Sequence, residues 1–138
     1  MAKFEPAHIL TSRNEGGYTD VRDDAGNWTG GKVGVGDLIG TNKGISAPVL
    51  CAFLGRKATV TDMKNLSDAV ASAIYKKNYW DVIRGDELLH QEEANSIYDS
   101  AVNMGSSRAI ILAQRSLGIT ETGHMDDLTL AKLNLKAA

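Results

Sequence analysis

The stretch Asn14-Glu15-Gly16-Gly17-Tyr18 marks the place where this chain changes character. Before it, Phe4, Ala7, Ile9 and Leu10 form an apolar stripe, and Pro6 is acceptable in a first helical turn. That spacing predicts a helix from Pro6 to Asn14. After it, Gly16-Gly17 cannot continue the helix cheaply, and glycine is the usual residue just past a helix end. Glu15 is therefore expected at a helix terminus, a single carboxylate at the entrance to a glycine-rich segment.

That segment runs over residues 16–44 and holds nine of the fourteen glycines. Short β-favouring pieces separate them: Tyr18-Thr19, Trp28-Thr29, Lys32-Val33-Gly34-Val35 and Leu38-Ile39. Such spacing predicts short strands and tight turns, hence a small irregular β-hairpin region with Asp23-Asp24-Ala25-Gly26 as a turn. Gly34 and Gly36 do not make a nucleotide-binding loop, because no strand-turn-helix context or lysine completes one.

From Ile45 onward the pattern is helical. Ser46-Ala47-Pro48 opens a helix ending near Gly55, with Val49, Leu50, Ala52 and Phe53 expected inward. Thr61-Asp62-Met63 starts a short helix to about Leu66. Ser67 caps a longer one through Lys77, with Val70, Ala73 and Ile74 at helical spacing. Tyr79 to Asp86 is expected as a connection rich in large side chains, with Tyr79 and Trp80 in the core. Helix 91–104 follows, then one opened by Ser106 or Ser107 with Ile110, Leu112, Ala113 and Leu117 apolar. A last helix begins at Asp126 or Asp127, with Leu128, Leu130, Ala131 and Leu133 apolar. The fold class expected is α+β, mainly helical, with the glycine-rich β-hairpin region beside a helical bundle.

Bulk properties narrow the function. A chain of 138 residues suits one compact domain. A formal net charge of −2 lacks the basic excess of a nucleic-acid binder and gives no attraction to an anionic surface. Cys51 is the one cysteine, so no intramolecular disulfide forms, and its apolar run marks it as a small core residue. His8, His90 and His124 lack metal-ligand spacing, so no metal and no cofactor is expected. No basic start leads an apolar stretch, so no signal peptide is expected, and no run reaches membrane-span length.

The groups able to carry chemistry are Glu15, Asp20, Asp23, Asp24, Thr29 and Thr41. Glycoside hydrolysis needs one carboxylic acid to protonate the leaving oxygen and a second group to attack the sugar or position a water. A glutamate ending a helix beside a hairpin is partly desolvated, which favours its protonated form, whereas an aspartate in a polar turn stays ionised. Glu15 and Asp24, nine positions apart, fit that asymmetry. On spacing alone the signal is weak, and a polar helix end with an ordinary Asx turn fits it better.

The order of motifs is more specific. Glu15-Gly16-Gly17-Tyr18, then Asp23-Asp24-x-Gly26, then Thr41-Asn42-Lys43-Gly44-Ile45 resembles the N-terminal signature of glycoside hydrolase family 108. The family comprises phage and bacterial N-acetylmuramidases of lysozyme-like fold. Tyr79-Trp80-Asp81, Ile83-Arg84-Gly85-Asp86-Glu87-Leu88, Tyr98 to Gly105 and Gln114 to Gly118 resemble the peptidoglycan-binding-like segment that follows the signature. Together they span Ile9 to Leu133.

The resemblance implies one lysozyme-like domain over 1–138, with the catalytic signature and hairpin in 1–60 and the peptidoglycan-binding-like helical half in 61–138. It implies an endolysin cleaving the β-1,4 bond between N-acetylmuramic acid and N-acetylglucosamine, with Glu15 as general acid assisted by Asp24 and a threonine. Thr41 keeps the Thr-Asn-x-Gly-Ile context, while Thr29 sits at the ungapped spacing, because Asn27 to Gly40 interrupts the family pattern. Thr41 is preferred. Tyr18, Trp28 and Asn42 are the substrate-binding candidates, with Trp28 stacking on a sugar or serving as a core residue. The last segment, Gly123-His124-Met125-Asp126-Asp127-Leu128-Thr129-Leu130, lacks the family's Gly-Pro, so the second half is expected to complete the core rather than bind wall by itself. The expected partner is the peptidoglycan glycan strand, with no nucleic acid, no stable membrane insertion and a monomeric state. The protein is expected to be made in a host cytoplasm and to reach the wall after release. Two alternatives stand: a non-catalytic peptidoglycan-binding or secretion-associated protein on the same fold, and a lytic transglycosylase.

Overall fold

The computed structural model describes residues 1–12 and 16–135. Glu15 lies outside the described residues, as does the junction at which the first helix is expected to end. The chain folds as two compact units: Met1–Arg13 with Tyr75–Ala138, and Asn14–Ile74.

In the first unit, α1 (Phe4–Ser12) packs on α5 (Gln91–Met104), and α5 packs on α6 (Ser106–Leu117). Ala94, Ile97, Tyr98 and Ala101 recur at helical spacing and are all buried. Phe4 is the anchor of α1. Its ring stacks on His8 at 5.0 Å and meets Trp80 and Tyr98 edge-on at 5.8 and 5.6 Å. Such ring pairs add about 0.5–1.5 kcal/mol each beyond the apolar area they bury. Ile9 and Leu10, expected on the same stripe, are instead exposed. Thr11 takes the inward position and donates to Asp99 Oδ1 at 2.9 Å, while Asn103 Nδ2 bonds the other oxygen at 3.2 Å. Asp99 thus braces α1 from α5.

The segment expected as a connection is more ordered than that. Lys76–Trp80 forms a π-helical turn and Gly85–Glu87 a 3-10 turn. Trp80 is fully buried, and its indole N–H donates to Asp86 Oδ1 at 2.9 Å. A Cβ on Gly85 would collide with the Trp80 ring, so this position needs glycine.

The C-terminal helix α7 (Asp127–Leu135) buries Thr129 and Leu133, whereas Leu128 and Ala131 are exposed. Leu112 on α6 is exposed as well, and the polar Gln114 is fully buried in its place. Gln114 Nε2 lies within 3.0 Å of Thr122 Oγ1, Thr129 Oγ1 and the His124 carbonyl, and Gln114 Oε1 accepts from Gly123 N. One side chain therefore ties Thr122, Gly123, His124 and Thr129 together.

In the second unit, α2 (Ala47–Leu54) starts with Pro48 in its first turn and stops at Gly55, whose φ of 69° lets its N–H reach the Cys51 carbonyl. Leu50 is buried, Val49 and Phe53 are half-buried, and Ala52, expected inward, is exposed. Helix α3 (Val60–Lys64) is opened by a reciprocal cap: Thr59 Oγ1 accepts from Asp62 N, and the Asp62 carboxylate accepts from Thr59 N. Helix α4 (Asp68–Tyr75) is capped by Ser67, which accepts from Val70 N at 3.1 Å. Ala71 and Ile74 face its core, and Ala73 is exposed.

The glycine-rich segment is paired through isolated antiparallel bridges, Thr19 with Thr41, Trp28 with Leu38, and Asn42 with Ile45. The last closes a two-residue turn whose central residues Lys43 and Gly44 both have positive φ, 53° and 76°. That geometry is why glycine follows lysine there. The architecture is thus α+β and mainly helical, with a small glycine-rich β region. Among the described residues, no helix is long and apolar enough to cross a membrane.

Candidate functional site

The site is built on one three-residue turn. The chain bends at residues 21–24, where Asp24 N donates to the Val21 carbonyl at 3.2 Å, and then forms a 3-10 turn over Ala25–Asn27. Asp24 is the N-cap: its Oδ1 accepts from Gly26 N at 3.0 Å. The expected turn over Asp23–Gly26 is thus a bend followed by this capped turn. Capping uses one of the roughly four acceptor positions of a carboxylate. Asp24 is exposed, so the other positions face solvent.

Asn27 holds the turn in place. It is fully buried, and all its polar groups are engaged. Its Nδ2 donates to the Val21 carbonyl at 2.9 Å, and its carbonyl accepts from Ile39 N and Gly40 N at 3.0 Å each. Its Oδ1 accepts the Thr41 hydroxyl at 2.6 Å. The Gly26 carbonyl lies 3.4 Å from the same hydroxyl. A hydroxyl has one proton, so the short bond to Asn27 takes it and the oxygen keeps its acceptor capacity. The backbone of Thr41 is also fixed, by paired bonds of 2.8 Å with Thr19. Asp24 and Thr41, both named from the sequence, therefore meet the same turn from two sides.

Thr29 is engaged elsewhere. Its Oγ1 accepts from Asp37 N at 2.8 Å, inside the hairpin formed by the Asn27–Gly40 segment. Asp20 and Asp23 are exposed.

The three substrate-binding candidates separate. Tyr18 is half-buried, donates to the Ile39 carbonyl at 2.8 Å and has the Lys64 ammonium 5.4 Å from its ring. Burial, with the Asp20 carboxylate as the lesser cause, pushes its phenol up from the ordinary value. Trp28 is only 6 % exposed. Its indole N–H donates to the Arg22 carbonyl at 2.8 Å, and the Arg22 guanidinium sits 5.2 Å from its ring centroid. Trp28 thus takes the core role, with no broad ring face left for a sugar. Asn42 is also 6 % exposed and donates to the Met63 carbonyl at 2.9 Å, which joins the hairpin to α3. Tyr18 alone of the three keeps appreciable exposure.

Sequence reasoning missed Asn27, which it treated only as the first residue of an insertion. A buried asparagine in a polar, glycine-rich stretch has no periodic signal. Among the described residues no group of three or more His, Cys, Asp or Glu is arranged to hold a metal.

Comparison with known proteins identifies the family. The family model described as glycosyl hydrolase 108 matches residues 9–105. No curated protein sequence matches the chain. The solved structure of SagA from Brucella abortus aligns with a TM-score of 0.74 at 31 % identity, covering 97 % of this chain and 70 % of that one. The matched family residues include those of both compact units, so the likeness is not confined to the signature. The chain belongs to the glycosyl hydrolase 108 family, a glycoside hydrolase family of peptidoglycan-cleaving type, and has its mainly helical, lysozyme-like fold.

Proposed function

We propose that this protein is an N-acetylmuramidase cutting the β-1,4 bond between N-acetylmuramic acid and N-acetylglucosamine in peptidoglycan. The observation that carries the reading is the joint anchoring of Asp24 and Thr41 on the Ala25–Asn27 turn. Glu15 protonates the bridging oxygen as the sugar becomes oxocarbenium-like. Asp24 accepts a proton from a water that also donates to Thr41 Oγ1, and so aims it at the anomeric carbon. Tyr18 supports the substrate from its exposed edge.

Helix α1, from the N-terminal end, packs with the segment after residue 75 in one compact unit. The C-terminal residues then complete the fold and are not an independent wall-binding module. The site of action is the cell wall, and the physiological role is that of an endolysin acting as a monomer. Digestion of purified sacculi tests the proposal. Wild type should release muropeptides with hydrated reducing ends, and Glu15→Gln should release none. Anhydro ends would assign lytic transglycosylase chemistry instead, and an inert wild type would leave a binding protein.

A further inference from the structure

The insertion that displaces the threonine is a shaped element. A Cβ on Gly30 would collide with Val35, and one on Gly36 would collide with Thr29. Gly31, Gly34 and Gly36 all have positive φ, 75°, 82° and 80°. The lobe closes on itself through Thr29 N to Asp37 O at 2.9 Å and Gly30 N to Val35 O at 3.0 Å. These close approaches specify one conformation rather than a slack loop.

Between this lobe and the C-terminal end of α2 lies a wide, open cavity of about 540 Å³. Thr29 and Gly36 line it from the lobe, Cys51 and Ala52 from α2, and Arg56 and Lys57 from the segment beyond. Lys57 bridges back to Asp37 of the lobe at 2.9 Å, with both side chains largely exposed.

Arg56 is the informative residue. Its Nη1 and Nη2 grip the two Asp62 oxygens at 2.8 and 3.2 Å, and Nη1 also donates to the Lys57 carbonyl at 3.2 Å. Asp62 is itself locked by the α3 cap. The guanidinium is therefore held in one orientation. Its bonds among the described residues use the Nη1–Nη2 end, which leaves the Nε–Nη2 edge as a second planar pair of donors. The side chain is 55 % exposed. A fixed guanidinium edge is the best protein match for a carboxylate, which it takes with two parallel bonds.

We propose that this cavity binds the peptide stem of a peptidoglycan strand, with the Nε–Nη2 edge of Arg56 taking a stem carboxylate. The proposal rests on the reading that peptidoglycan is the substrate. Apolar walls suit the aliphatic part of a short peptide, and the oriented cation suits its acid groups. A glycan stripped of its stems offers hydroxyls, acetamides and a lactyl carboxylate held close to the ring, with no aliphatic chain to fill the apolar walls.

The test uses the full chain carrying Glu15→Gln, so that strands are bound and not cut. Calorimetric titration compares soluble glycan strands carrying their stems with the same strands after amidase removal of the stems. Stem-bearing strands should bind about tenfold more tightly, as one charge-assisted pair provides. Arg56→Ala should erase that difference, Arg56→Lys should restore part of it, and Ala52→Phe should erase it by filling the cavity. Unchanged binding of stripped strands by these variants certifies that they are folded. Equal binding of both strands by the parent protein overturns the proposal, because the stem then adds nothing to recognition. So does a stem preference that survives both Arg56→Ala and Ala52→Phe, or a parent protein that binds neither strand. A stem preference in a protein whose wild type digests no sacculi would reject only the catalytic reading.

Discussion

The Thr41 hydroxyl donates to Asn27 Oδ1 at 2.6 Å, and this bond ties the motif after the insertion to the turn that Asp24 caps. The insertion lengthens the chain between Asn27 and Gly40 without separating their backbones, because Gly40 N bonds the Asn27 carbonyl at 3.0 Å. The threonine is thereby returned to the Asp24 turn although the sequence spacing has changed.

Thr41 and Thr29 should therefore differ in effect. Thr41→Val removes the hydroxyl and leaves Asn27 Oδ1 unsatisfied, at a cost of about 1–3 kcal/mol in stability. It should also lower the initial rate of sacculus digestion at least about tenfold, the equivalent of one lost hydrogen bond to the attacking water. Thr41→Ser should recover most of the rate. Thr29→Val, within the lobe, should lower the rate less than Thr41→Val does. Initial rates measured well below the melting temperature distinguish the two.

Asp24 has two roles that one substitution separates. Asparagine caps helix starts about as well as aspartate, so Asp24→Asn should keep the turn and change stability by less than about 0.5 kcal/mol. It cannot accept a proton as a carboxylate does, so digestion should fall by about 100-fold or more. Equal rates for Asp24→Asn and wild type would remove Asp24 from the mechanism and leave it a cap.

Gln114 is the polar centre of the first unit. Gln114→Leu removes bonds to Thr122, Thr129, His124 and Gly123 at once. The expected loss is about 2–4 kcal/mol, several degrees in melting temperature, measured by calorimetry. Gly85→Ala should cost about 1–3 kcal/mol for a different reason, overpacking against the buried Trp80 ring.

A pH effect follows from His8. Burial against Phe4 and the tyrosines lowers its pKa below the ordinary 6.5. The folded state then binds a proton less readily than the unfolded state. Stability is retained above the unfolded pKa and lost as pH falls from there toward the lowered folded value. Thermal unfolding at about pH 7.5 and about pH 5.5 should show a drop in wild type that is smaller in His8→Gln. An identical drop in both would remove His8 as its cause.

Much of the fold was legible in the sequence where local signals and burial agree. Helix α5 runs from Gln91 to Met104, the range its apolar spacing predicts, because Gly105 ends it and Ala94, Ile97, Tyr98 and Ala101 all pack inward. Gly55 and Gly118 stop α2 and α6 in the left-handed conformation that favours glycine. The errors arise where tertiary partners decide. Ile9, Leu10, Leu112 and Leu128 are apolar yet exposed, while Thr11, Gln114 and Thr129 are polar yet buried, since buried hydrogen bonds outweigh hydropathy at those positions. The π-helical turn at Lys76–Trp80 has no distinct spacing and is set by the packing of Trp80. At the site, motif order named Asp24 and Thr41, and the structure bonds both to the Ala25–Asn27 turn. Asn27, which joins them, was not named, and Trp28 and Asn42 proved to be internal supports.

The central claim is that Glu15 supplies the proton to the glycosidic oxygen. Digestion of purified sacculi by wild type and Glu15→Gln, with mass spectrometry of the released muropeptides, tests it most directly. The account predicts products with hydrated N-acetylmuramic acid reducing ends from wild type and no release above background from Glu15→Gln. Release at the wild-type rate by Glu15→Gln, or 1,6-anhydro ends from wild type, would contradict it.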